Sequence, residues 1–159
     1  MDSSTTSPTR VRHGVVALAT LMAVLLYLDR ICLSVLFRDM QPDLQLSDDD
    51  WSVLLSAFFW TYALAQVPSG WLSDRFGPRL VLALYILGWS ICTGLIGLAS
   101  SFAAVLWLRF GTGLAQAGAY PTGAAIVARW VPLESRGTAS GIVSTGGRIG
   151  GALAPVLTA

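Results

Sequence analysis

The chain has 159 residues, of which 54% are hydrophobic and 12% are charged, about half the charge of an ordinary soluble domain. This low charge and a mean hydropathy of +0.65 exclude a surface built for water. The net charge of +1 gives no indication of a nucleic-acid partner. Length is therefore best counted in membrane spans, each about 20 apolar residues for about 30 Å of hydrocarbon.

Residues 1–13 are rich in Ser and Thr and show no apolar pattern, so they are predicted to form a disordered cytoplasmic tail. The apolar run 14–36 follows Arg10, Arg12 and His13, as the apolar core of a signal peptide follows basic residues. It is longer than the usual core of about 7–15 residues, and no cleavage motif follows it. The run is predicted to remain as a spanning helix.

Four further apolar runs, at 51–71, 80–99, 102–127 and 137–158, predict four more spanning helices with short connections. The runs are too long for strands and lack a period of two residues. Ser47 and Asp50 have the spacing of a capping box at the start of the second helix, and Pro78 suits the first turn of the third. The predicted fold is an all-α membrane protein with five transmembrane helices.

Arginines are concentrated in alternate connections. Six of them precede the first helix or join helices 2 and 3 or helices 4 and 5: Arg10, Arg12, Arg75, Arg79, Arg129 and Arg136. The connection between helices 1 and 2 contains Arg38 and five aspartates instead. Because basic residues stay in the cytoplasm, this bias predicts a cytoplasmic amino terminus.

Three arginines, Arg30, Arg109 and Arg148, lie inside predicted spans. Each such charge costs about 2.5–3.5 kcal/mol unless it faces a partner or a wet cavity. Asp29 is the one acidic residue of the sequence at a similar depth. Either helices outside this chain supply partners, or a side chain reaches toward water, or the positive excess serves a cavity for an anion. Arginine suits the cavity, because its planar guanidinium binds a carboxylate through two hydrogen bonds.

Helical spacing gathers polar side chains near these arginines. The predicted stripes are Tyr27, Arg30 and Ser34 in helix 1, Ser52, Ser56, Phe59, Tyr62 and Gln66 in helix 2, and Arg109, Thr112, Gln116 and Tyr120 in helix 4. The candidate substrate contacts are Tyr27, Arg30, Tyr62, Arg109, Gln116 and Arg148, although Tyr62 could serve packing alone. Asp29 projects away from Arg30 and is a candidate proton carrier.

Glycines four residues apart in helix 5, Gly137 with Gly141 and Gly147 with Gly151, predict close helix packing in lipid. No catalytic constellation, cofactor or metal site is predicted, because the single histidine lies in the tail and no connection is long enough for an active site. The two cysteines lie in apolar runs and are interpreted as buried apolar side chains. The protein is therefore not expected to be an enzyme.

The segment 70–79, GWLSDRFGPR, resembles the signature loop between helices 2 and 3 of the major facilitator superfamily. Pro78 stands where that loop usually has a basic residue. The resemblance implies a gating loop formed by Gly70, Asp74, Arg75, Gly77 and Arg79. In it, Gly70 and Gly77 would allow tight turns, and Asp74 would cap helix 3 and hold nearby arginines.

Four other segments are similar to the anion:cation symporter family, which includes carriers of sugar acids, hexuronates and tartrate. They are 27–30 (YLDR), 56–63 (SAFFWTYA), 108–111 (LRFG) and 146–151 (GGRIGG). The resemblance implies that Arg30 binds a substrate carboxylate and that Asp29 takes part in proton coupling. Gln116 stands where the family commonly has a glutamate, so a second proton site is not implied and Arg109 lacks an expected charge partner.

Such carriers have twelve helices in two halves of six. The resemblance therefore implies the first five helices of the amino-terminal half, in a bacterial inner membrane, with the carboxyl-terminal half as partner. The implied function is secondary transport of a small organic anion, such as a sugar acid or dicarboxylate, by alternating access and coupled to protons, or alternatively to sodium. A truncated, non-transporting membrane protein and a carrier of neutral solutes are the competing interpretations.

The predicted orientation can be measured with reporter fusions. A reporter fused after Pro132 is expected in the cytoplasm and one fused after Pro42 outside it, because the arginine-rich connections stay inside. A fluorescent protein that matures in the cytoplasm and a phosphatase active outside it provide opposite readouts at each site. Reversed signals at both sites would contradict the orientation.

Overall fold

The computed structural model describes residues 11–158, except for the side chains of Leu33, Phe37, Arg38 and Asp39. This part of the chain consists of six α-helices and one short 3-10 turn, without a strand. The helices are α1 (Val11–Asp43), α2 (Asp48–Phe76), α3 (Pro78–Ile96), α4 (Phe102–Ala117), α5 (Ala119–Trp130) and α6 (Arg136–Thr158). Because α4 and α5 together cover the predicted fourth helix, all five predicted helices are present.

Several helices extend beyond the apolar runs that predict them. α1 covers Val11–Asp43 instead of 14–36, and α2 covers Asp48–Phe76 instead of 51–71. α1 thus includes residues 11–13, which the sequence assigns to the tail, while residues 1–10 lie outside the described part. Hydrophobicity marks the section of a helix that lipid surrounds, whereas backbone hydrogen bonds allow the helix to continue into water.

The ends of α2 are set by local interactions that the sequence predicts. The Ser47 hydroxyl accepts a hydrogen bond from the Asp50 N–H at 3.1 Å, and the Asp50 carboxylate accepts one from the Ser47 N–H at 3.0 Å. The capping box is therefore confirmed, and the hydrogen bonds from Ser47 hold the pKa of Asp50 below its usual range. At the other end Gly77 has φ 87°, a conformation that favours glycine, and Pro78 begins α3.

The predicted fourth helix, 102–127, is interrupted at Gly118 and continues to Trp130. Pro121 causes the interruption, because it has no N–H to donate to the Ala117 carbonyl and its ring crowds that carbonyl. A side chain at Gly118 would overlap the ring of Tyr85 in α3. Within residues 11–158, the two helical stretches that are long and apolar enough by themselves to cross a membrane are Val11–Leu36 and Pro78–Ile96.

The most extensive helix contacts are between α1 and α6 and between α2 and α4. Met22, Leu26, Trp89 and Ala119 form a buried cluster between α1, α3 and α5. Many large apolar side chains nevertheless remain on the outside, including Leu64, Val67 and Trp107, which are 71%, 83% and 72% exposed. Such a surface suits lipid rather than water.

Glycines allow α6 to approach α1, but one predicted pair does not take part. A Cβ at Gly150 would overlap the backbone of Val24, and Gly147 and Gly151 lie against Tyr27. Packing by Gly147 and Gly151 is thus confirmed. The prediction for Gly137 and Gly141 is wrong within residues 11–158, because no atom of another element in this part of the chain lies within 4 Å of a Cβ at either position. A spacing of four residues defines a helix face but does not determine whether that face meets another helix.

The glycine contacts predict different effects of two similar substitutions. Gly150→Ala is expected to destabilise the bundle by about 1–3 kcal/mol, because the added methyl group forces α6 away from α1. Gly141→Ala is the matched control and should keep or raise stability, since alanine is about 1 kcal/mol more favourable than glycine in a helix. Thermal unfolding in detergent, followed by circular dichroism, measures both. Equal midpoints for the two variants would contradict the proposed packing.

Candidate functional site

Aromatic rings from two helices surround the side chain of Arg30 in α1. Its guanidinium carbon lies 4.6 Å from the ring centre of Tyr62, 4.9 Å from that of Phe58 and 5.4 Å from that of Tyr27. The faces of aromatic rings attract cations, most strongly where water is excluded. The rings therefore hold the guanidinium in place without neutralising its charge.

Gln116 of α4 provides a hydrogen-bond acceptor for Arg30. Its side-chain oxygen lies 3.4 Å from Nε and 3.3 Å from Nη2 of Arg30. Both distances exceed the usual N–H···O distance of about 2.9–3.0 Å, so both bonds are weak. Because an amide is neutral, a carboxylate from a ligand would be a much stronger acceptor at this position.

Arg109 of α4 is buried close to Arg30. It is 2% exposed, its Nε donates a hydrogen bond to the Leu54 carbonyl at 3.2 Å, and its guanidinium carbon lies 4.8 Å from the Phe58 ring centre. Gln116 occupies the position where a charge partner for Arg109 is expected, but its side-chain amide binds Arg30 instead. One phenylalanine ring thus contacts both guanidinium groups.

The positive charges of this cluster have no counter-charge in the described part of the chain. Neither Arg30 nor Arg109 forms an ion pair with a described carboxylate. Their guanidinium carbons lie 4.9 and 4.8 Å from the Phe58 ring centre, which puts them less than about 10 Å apart. At an effective dielectric constant of about 20 they repel by at least about 1.7 kcal/mol. A bound anion would relieve this repulsion.

The structure brings together five of the six candidate substrate contacts: Tyr27, Arg30, Tyr62, Arg109 and Gln116. Arg148 does not join them and is exposed. It lies one residue beyond Gly147, which packs against Tyr27, so its side chain projects about 100° away around α6. Its helix face is the one that carries the exposed glycines Gly137 and Gly141.

Two residues of the cluster were not among the candidate contacts. The predicted stripe of α2 contains Phe59, which is 57% exposed, whereas its neighbour Phe58 is 1% exposed and contacts both arginines. Phe58 lies four residues before Tyr62, and this spacing could have identified it. Tyr120 packs edge-on against Tyr27, with the ring centres 6.3 Å apart.

Asp29 lies apart from the arginine cluster. It is half-buried and faces Trp89 of α3 rather than Arg30. This agrees with the prediction that adjacent residues of a helix project in different directions. The carboxylate is therefore free of a guanidinium partner within the described chain and lies in the part of α1 that is predicted to cross the membrane.

The gating loop differs from its predicted form in two ways. Asp74 is exposed and does not cap α3, whose first residue follows Gly77 without a side-chain hydrogen bond. The reason is that α2 continues to Phe76, so Asp74 belongs to its last turn. Gly70 also lies within α2, and Gly77 makes the turn between α2 and α3.

The arginines of the gating loop contact aromatic rings instead of Asp74. Arg75 lies 5.3 Å from the ring centre of Trp71, and Arg79 lies 5.4 Å from that of Trp130. The prediction that Asp74 holds these arginines is therefore wrong for this conformation. All three charged side chains are exposed.

Residues 19–159 match the sequence model of the Major Facilitator Superfamily. The chain belongs to this superfamily. Its described helices are accordingly helices of a membrane transporter fold, and the chain contains part of that fold. The fold class predicted from the sequence is thus confirmed.

Relatives within the superfamily are similar over most of this chain. The "Probable sulfoacetate transporter" of Cupriavidus necator is 35% identical over 146 residues, which are 92% of this chain and 34% of that protein. The "Probable galactarate/D-glucarate transporter" of Bacillus subtilis is 40% identical over 138 residues, 83% of this chain and 30% of that protein. This chain spans about a third of the length of these relatives.

A solved structure has the same helix arrangement. It is a bacterial homolog of the human lysosomal transporter Spinster, in an inward-facing and unoccupied conformation. The TM-score is 0.87 at 33% sequence identity, and the match covers 92% of this chain and 31% of that one. This chain and that transporter are therefore similar in the arrangement of their helices as well as in sequence.

Proposed function

We propose that this chain is the amino-terminal part of a secondary transporter for an organic anion, such as a sugar acid or dicarboxylate. The cluster around Phe58 supports the proposal, because it holds two guanidinium groups without a described counter-charge inside a bundle with an apolar exterior. The names of the relatives, a sulfoacetate and a galactarate/D-glucarate transporter, point to the same class of substrate.

The proposal assigns each residue of the cluster a separate task. Arg30 binds the substrate carboxylate through the N–H groups at the edge of its guanidinium plane, displacing the weak acceptor Gln116. The rings of Tyr27 and Tyr62 keep Arg30 oriented and their hydroxyl groups can bind the substrate's own hydroxyl groups. Arg109 adds a second charge, which suits a substrate with two anionic groups. Arg148 is assigned to the same cavity in a complete carrier, since its exposed position deep in the membrane requires a polar surrounding.

Alternating access and proton coupling belong to the same proposal. Transporters of this superfamily are built from repeats around a site near the middle of the membrane. The exposed Asp74, Arg75 and Arg79 are available to contact a second half as the two halves rock. Asp29, half-buried and without a guanidinium partner, is the proposed proton carrier, with sodium coupling as the alternative.

The anion site predicts that Arg30→Lys weakens substrate binding. Lysine keeps the charge but loses the planar two-point grip, so the loss should be about 1.5–3 kcal/mol, or roughly ten- to a hundredfold in affinity. Arg30→Ala should weaken substrate binding at least as much. Affinity for galactarate and for related sugar acids is measured with the complete carrier in detergent.

Arg12→Lys, at the start of α1 and outside the cluster, is the matched control and should bind normally. Gel filtration verifies that every variant is folded. Normal binding by both Arg30 variants would show that Arg30 serves packing and does not bind the substrate. Equal competition by a neutral sugar would instead favour a carrier of neutral solutes with the same fold.

The proposed proton coupling predicts a different effect of Asp29→Asn. This variant should bind the anion normally but lose the stimulation of uptake by an inward proton gradient, because an amide cannot exchange the proton. Uptake into proteoliposomes with and without the gradient measures this, and exchange of labelled for unlabelled substrate shows that the variant still moves substrate. Stimulation that persists in Asp29→Asn, or that requires sodium in the unaltered carrier, would contradict the assignment.

A further inference from the structure

A groove with two arginines lies where the α2–α3 turn meets the end of α5. It has a volume of about 580 Å³, and its lining includes Phe76, Arg79, Leu80, Arg129 and Trp130. None of the described residues that line the groove is acidic. The groove lies at the opposite end of these helices from the Ser47 cap. It includes Gly77 and Arg79 of the gating loop but no residue of the Arg30 cluster, so substrate binding does not explain it.

The groove combines three features that bind phosphate groups. Arg79 and Arg129 are exposed and supply positive charge, and the ring of Trp130 holds Arg79 in place at 5.4 Å. α3, a helix of 19 residues, begins at the same point without a side-chain cap, so its start adds the positive potential of a helix amino terminus. The helix start and the two arginine side chains therefore favour an anion at the same place.

An apolar groove continues directly from the basic one. It runs between α2 and α3 with a volume of about 300 Å³ and shares Phe76 and Leu80 with the basic groove. The rest of its lining is Leu72, Val81, Leu84 and Tyr85. Phe76 and Leu80 are each 57% exposed, which leaves an open apolar path from the arginines along the side of the bundle.

We propose that the two grooves together bind one anionic phospholipid, with its phosphate between Arg79 and Arg129 and an acyl chain along α2 and α3. Free phosphate would use the basic groove but not the apolar continuation. The arginine distribution predicts that this end of the bundle faces the cytoplasm, where anionic lipids attract basic residues near the membrane surface. Trp130 also belongs to a residue type that is enriched at that depth.

Native mass spectrometry of the full chain, delipidated in detergent and titrated with phosphatidylglycerol, tests the site. Each arginine near a membrane surface contributes about fivefold in affinity, so the double variant Arg79→Gln/Arg129→Gln should bind about 25-fold more weakly. Arg12→Gln is the matched control. It removes an arginine at the start of α1 that lines neither groove, and it should leave binding within about twofold.

A second variant tests the apolar half of the site. Leu84→Ser keeps both charges and changes a residue that lines only the apolar groove, so it should weaken phosphatidylglycerol binding while inorganic phosphate binding stays unchanged. The proposal is overturned if Arg12→Gln weakens binding about fivefold, as much as either groove arginine should, because binding would then follow total charge. It is also overturned if phosphatidylcholine binds as tightly as phosphatidylglycerol, if inorganic phosphate binds as tightly as the lipid, or if Leu84→Ser has no effect on lipid binding.

Discussion

Arginine charges held between helices that face lipid are the constraint on which this bundle depends. Arg30 on α1 and Arg109 on α4 both lie over Phe58 of α2, so a single ring joins three helices at the level of the charges. The Leu54 carbonyl and the Gln116 oxygen satisfy some of the guanidinium donors, while the charges themselves persist. Neutral partners orient the guanidinium groups without neutralising their charges, so their positive electrostatic potential remains available to a ligand.

Packing elsewhere brings the helices close enough for these contacts. Gly113 of α4 lies directly against Phe58 and Thr61 of α2, where any side chain would overlap Thr61. Gly147 of α6 has the same role against Tyr27, one of the rings around Arg30. Small residues therefore position the large ones, as is typical of helix association in lipid.

The sequence predicts the helices and most of the cluster, but it does not predict which residues meet. Polar residues spaced by three or four identify Arg109 and Gln116 as one face of a helix, and the charge of Arg30 stands out in an apolar run. Spacing alone could not choose Phe58 over Phe59, because helix rotation depends on neighbours far away in the chain. It also could not show that the Gly137 face meets no other helix within residues 11–158, or that Pro121 interrupts the fourth helix without ending it. Both outcomes depend on tertiary contacts that override local pattern.

The Gln116 amide does not titrate, so it offers Arg30 the same hydrogen-bond acceptor at low and at high pH. A glutamate there would pair with the guanidinium above its own titration range and release it below, so ligand entry would depend on acidity. The codons for glutamine and glutamate differ by one base. A single point mutation therefore separates the present acceptor, which does not titrate, from a titratable one at the same position.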